Sequence, residues 1–156
     1  MSHTLSQIRL KPPGDDVRGF LPDHEGQQLF EWASQVSTIG PLLEIGSYCG
    51  RSTIWLGQAA KAHDTVVFAL DHHRGSEEHQ PGESHHDEAL VDATGQFDSF
   101  GEFRRNIAAA GLEDTVVPIV ANSETVGPCW QSGLGMVFID GGHSLDAALT
   151  DYRAWA

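Results

Sequence analysis

Four short runs rich in β-branched and apolar residues punctuate the chain: "LLEIG" (42–46), "TVVFALD" (65–71), "TVVPIVA" (115–121) and "GMVFID" (135–140). Segments with a helical period lie between them, so the pattern alternates strand and helix. Such alternation needs crossover connections, which give parallel strands covered by helices on both faces. An α/β fold with a mainly parallel sheet is therefore expected. The first helix starts at Asp23, with Leu29, Trp32, Ala33 and Val36 on one face, and Gly40-Pro41 stops it. "RSTIWLGQAAKA" (51–62) and "SFGEFRRNIAAAG" (99–111) read as further helices. Ser99 and Glu102 make a capping-box pattern, and Gly111 suits the C-terminal cap. Pro118 marks its strand as a sheet edge or an irregular one. Ser144 caps a last helix with Leu145, Ala148, Leu149 and Tyr152 on one face.

At 156 residues the chain has the length of one domain. Residues 1–22 are polar and hold Pro12, Pro13, Gly14 and Pro22, so they read as an arm or lid. Residues 23–156 form the domain proper, interrupted at 72–98 by a stretch rich in His and acids in which no element is expected. A loop of that length in a compact domain reads as a solvated cover over a site. Its members nearest the second strand, His72 and Arg74, are expected to face that site.

Nine Lys and Arg against 22 Asp and Glu give a net charge of −13. That surface repels phosphate backbones and anionic lipid, so neither nucleic acid nor membrane is an expected partner. No apolar run is long enough for a membrane span or a signal peptide. Cys49 and Cys129 lack metal-type spacing and read as reduced thiols of a cytoplasmic protein.

In parallel sheets, ligands bind beyond the carboxyl ends of the strands, where strand order switches. The notable polar residues obey that rule. Glu44 and Gly46 end the first run, Asp71 the second, Asn122 and Ser123 follow the third, and Asp140 ends the fourth. The turn "GSYCGRS" spaces its glycines as Gly46-x-x-x-Gly50 and puts Tyr48 where a dinucleotide fingerprint needs a bare glycine, which disfavours a pyrophosphate. An acid two residues before Gly46 suits a ligand with an amino group or a sulfonium. Asp71 stands about 20 residues beyond the glycines, where an acid accepts hydrogen bonds from ribose hydroxyls.

Taken together, "LLEIGSYCGRST", "VFALD", "VANSE" and "VFIDGGH" resemble the class I S-adenosylmethionine-dependent methyltransferases. More narrowly, the chain resembles the bacterial small-molecule and sugar O-methyltransferases whose fourth strand ends in Asp-x-x-His. The resemblance covers about residues 25–156 and implies a Rossmann-like three-layer sandwich. It implies that Glu44, Gly46 and Gly50, with Ser47 and Ser52 of the same turn, surround the amino acid part of S-adenosylmethionine. Asp71 and His72 would lie at the ribose, and Asn122 and Ser123 near the adenine. His143 would be the general base for a hydroxyl acceptor, and Asp140 a cofactor, substrate or Mg²⁺ ligand. The bland reading of this loop is that Asp140 caps it and His143 bonds backbone.

The family usually continues with a fifth strand and an antiparallel pair, so the fold is expected to be truncated after the fourth strand and its helix. A completing chain or a homo-oligomer would then cover the open strand. Two other readings stand beside the methyltransferase: a non-catalytic nucleoside-binding or assembly module, and an NAD-dependent oxidoreductase.

Overall fold

The computed structural model describes residues 9–84, 86–142 and 144–156. Its sheet holds β1 (Leu42–Ile45), β2 (Val67–Leu70), β3 (Val116–Ile119) and β4 (Met136–Ile139), all parallel, in the order β3-β2-β1-β4. The chain runs outward from β1 through β2 to β3, then crosses back to lay β4 on the other side of β1. Strand order therefore switches between β1 and β4. Pro118 lies in β3, an edge strand, where a missing N–H costs no ladder bond on the outer side.

Alternation along the strands assigns their faces. Leu42, Val67 and Ala69 point to a core shared with α1 (Asp23–Val36), α2 (Arg51–Ala62) and α3 (Phe100–Ala109). Leu43, Ile45 and Leu70 point the other way, toward α4 (Ser123–Val126) and α5 (Leu145–Trp155), with Val126 and Trp155 packed against them. The three-layer α/β architecture read from the sequence is the one observed.

Several local expectations fail for physical reasons. On α1 the buried stripe is Gly26, Leu29, Phe30, Ala33 and Ser34, while Trp32 is 56% exposed. Gly26 belongs to the inner stripe because the Trp55 indole lies against it: a Cβ there would come within 2.1 Å of Nε1. The capping box does not form. The Ser99 hydroxyl bonds Nδ1 of buried His73 at 2.8 Å, and Glu102 pairs with Arg18 instead of reaching back to the cap. On α5, Ser144 does cap Ala147 N–H at 3.1 Å, but the stripe of Leu145, Leu149 and Tyr152 faces outward. Trp155 is on the inner side of this helix and packs in the core.

The 72–98 segment is built rather than merely solvated. It contains short 3₁₀ turns at Glu77–His79 and Glu88–Leu90, and it buries Leu90 and Phe97. The Asp92 carboxylate accepts from Thr94 N–H at 2.9 Å and Gln96 N–H at 3.1 Å, closing a turn, and pairs with Arg74 at 3.0 Å. The described part of the arm is likewise tied down. Val17 enters the core, and Arg51 donates to the carbonyls of Gly14, Val17 and Leu21. Among the described residues no helix is long and apolar enough to cross a membrane.

At the switch point the backbones nearly touch. Gly46 has φ +89°, and a Cβ on it would lie 2.2 Å from the Asp140 carbonyl oxygen and 2.6 Å from Gly141 Cα. Both the conformation and the space exclude a side chain. Gly46→Ala is expected to lower unfolding stability by about 2 kcal/mol or more, read as a shifted urea midpoint. An unchanged midpoint would contradict this packing.

Candidate functional site

The carboxyl ends of the strands open into a cavity of about 790 Å³. Its floor is Ile45–Tyr48, Leu70–His72, Ala121–Glu124 and Asp140–Gly142, and its roof is Arg18–Leu21 of the arm with Gly75, Ser76 and Glu78–Gln80 of the long loop. Of the residues expected from sequence, Gly46, Ser47, Ser52, Asp71, His72, Asn122, Ser123 and Asp140 all line it. Glu44 and Gly50 do not, and His143 lies outside the described residues.

Glu44 is displaced by the alternation of β1. It points to the same face as Leu42, beneath the turn, and is fully buried. The hydroxyls of Ser52 and Thr53 on the first turn of α2 donate to its two carboxylate oxygens. Burial pushes this carboxyl up to about 7, against the lowering effect of those two hydroxyls, with Asp140 and Asp71 adding like-charge repulsion. Gly50 is the N-cap of α2 at φ +94°, set against Phe103 and Ile107 rather than on the wall.

Asp71 fastens the turn to β2. Its Oδ2 accepts from Tyr48 N–H and its Oδ1 from His73 N–H, each at 2.8 Å. A carboxylate keeps further lone pairs beyond two such bonds, and these can take a vicinal diol. Ser47 and Ser123 are buried on the wall, and their hydroxyls have no partner among the described residues. Buried unpaired hydroxyls on a cavity wall are positions where a ligand can complete the bonding.

Tyr48, His79 and Phe97, none of them expected here, stack together at the mouth. Their centroids are 5.3 Å apart for Tyr48–His79 and 5.2 Å for His79–Phe97. They escaped the sequence reading because the contact joins a strand–helix turn to a loop without periodicity. Arg74, expected to face the site, turns to Asp92 instead, whereas His72 does reach the wall.

Asp140 directly follows β4, with its N–H donating to the Ile45 carbonyl at 2.7 Å. Among the described residues no three His, Cys, Asp or Glu side chains come together as a metal ion would need. The residues described do not fit a Mg²⁺ site.

The family described as "Methyltransferase domain" matches residues 43–156, the segment that carries all four strands and their rim. The chain belongs to this family. The methyltransferase domain is also similar in fold to cofactor-bound Rv0187 from MTB, at 23% identity and TM-score 0.59 over 89% of this chain and 54% of that one. The O-methyltransferase TomG from Streptomyces achromogenes, in complex with SAM, is 17% identical with TM-score 0.58, over 91% and 54%. An O-methyltransferase from Bacillus cereus, in complex with SAH, is 19% identical with TM-score 0.59, over 90% and 56%. The domain thus spans about half the length of these solved structures.

The buried carboxyl gives a pH test of the geometry. Glu44 binds its proton more tightly in the folded domain than the ordinary value of 4.5 allows in the unfolded chain. Its contribution to stability is complete below pH 4.5 and is lost as pH rises to about 7. Glu44→Gln keeps the volume and removes the titration. Between the two pH limits wild-type stability should fall relative to the variant by roughly 3 kcal/mol, at about 1.4 kcal/mol per pH unit. Parallel pH profiles in urea denaturation would show that the carboxyl is not held as described.

Proposed function

We propose that the domain binds S-adenosylmethionine and serves an O-methyltransferase acting on a small hydroxylated molecule, a sugar or a secondary metabolite. The observation that carries this reading is the convergence of Gly46, Asp71, Asn122–Ser123 and Asp140, from four strand ends, on one cavity. The donor set suits a nucleoside with an amino acid arm. Gly46 leaves bare backbone, Asp71 offers carboxylate lone pairs, and Ser47 and Ser123 offer buried hydroxyls in need of partners. The solved relatives bound to SAM and SAH support the same cofactor.

When bound, the cofactor supplies an electrophilic methyl group on sulfur. The chain's own part is to position and to exclude water. Asp71 would hold the ribose, and Gly46 and Ser47 of the turn that it fastens would face the amino acid arm. Glu44 acts from below the turn, where its ionised form favours a cationic ligand above it. His143, three residues past Asp140 in the family-like Asp-x-x-His, takes the acceptor's proton on its imidazole. Asp140 contacts cofactor or acceptor, and no step is assigned to a metal. The open edge of β4 suits pairing with a further strand, from the same polypeptide or from a second copy. Neither the NAD-dependent reading nor the non-catalytic module gains support from the fold relatives.

Two measurements test the assignment. Calorimetric titration with S-adenosylhomocysteine should show micromolar binding that Asp71→Ala weakens at least tenfold, about 1.4 kcal/mol. Equal affinity in the variant would remove Asp71 from the site. In any active form of the protein, His143→Ala should leave that binding within twofold and abolish methyl transfer. Retained turnover would end its role as base.

A further inference from the structure

We infer that the acceptor taken by this cavity carries no anionic group and is favoured by an amine. The inference rests on the cofactor reading above and adds the charge of the second substrate. Away from Asp71, the wall carries Glu25 from α1, Glu124 from α4 and Asp151 from α5. These acids come from separate elements, so they surround the space rather than mark one spot. The Asp151 carboxylate sits over the turn after β4: a Cβ on Gly141 would lie 2.5 Å from its Oδ2.

The cations on the wall are turned elsewhere. Arg18 donates through Nε to Asp87 at 2.7 Å and through Nη1 to Glu102, neither of which lines the cavity. Arg51 donates to the Leu21 carbonyl at 3.0 Å, to those of Gly14 and Val17 at 3.1 Å, and to Asp23 at 3.3 Å. Two histidines on the wall take backbone N–H groups at Nδ1. His72 Nδ1 takes the Arg74 N–H and His79 Nδ1 takes the Ser76 N–H, each at 3.0 Å. Among the described residues, no guanidinium on this wall is directed at a ligand.

A carboxylate or phosphate entering this space meets like charge in a partly enclosed, low-dielectric setting, where repulsion is weakly screened. An ammonium meets the opposite field. The net charge of −13 acts in the same direction during approach.

The test is calorimetric titration of the chain saturated with S-adenosylhomocysteine, using two size-matched pairs: tyramine against 4-hydroxyphenylacetate, and glucosamine against glucuronate. The amine should bind at least tenfold tighter than the carboxylate in at least one pair. Asp151→Asn should narrow that preference at least threefold while leaving S-adenosylhomocysteine affinity within twofold. Carboxylates binding as tightly as amines, a preference unmoved by Asp151→Asn, or no binding by any of the four at millimolar concentration would overturn the inference and leave the cofactor reading intact. Failure of S-adenosylhomocysteine itself to bind would overturn both.

Discussion

The close approach of Gly46 to the Asp140–Gly141 backbone is the contact on which the rest of the site depends. It exists because strand order switches between β1 and β4, so that the turns leaving these two neighbouring strands pass side by side on their way to opposite faces of the sheet. The absence of a Cβ at Gly46 lets the turn into α2 pass over β4, and Asp71 then fixes that turn from the β2 side through the Tyr48 N–H. The cavity is the space left above these three ends. Its roof comes from outside the sheet, from the arm held by Arg51 and from the loop held by the Tyr48–His79–Phe97 stack.

Electrostatics gives the cavity its character. A fully buried Glu44 beneath the turn, Asp71 at the rim and further acids on the wall make a space that disfavours anions. Burial is the main reason that the Glu44 carboxyl is raised, and the charges of Asp140 and Asp71 add a smaller repulsion. A cationic ligand above the turn would offset that repulsion.

Much of the fold could be read from the sequence because strands and helices have different periods, and β-branched runs ending in acids locate both strand and rim. What could not be read depended on partners remote in sequence. Gly26 sits inside α1 only because Trp55 of α2 covers it, so periodicity alone favoured Trp32. Ser99 and Glu102 match a cap pattern, but His73 and Arg18 offer better partners, 26 and 84 residues away. Glu44 was expected to touch the ligand from its place near Gly46; counting the strand alternation would have put it on the Leu42 face, under the turn. The order of the 72–98 loop rests on Leu90, Phe97 and the Asp92 turn, isolated features that leave no repeat to detect.

The most direct test of the account is a crystal structure of the chain with S-adenosylhomocysteine. The account predicts the ribose hydroxyls within hydrogen-bonding distance of Asp71, the amino acid arm over Gly46, and at least one of the Ser47 and Ser123 hydroxyls newly paired. A nucleoside bound away from the β1–β4 switch point, or lying there with Asp71 making only its two backbone bonds, would contradict it.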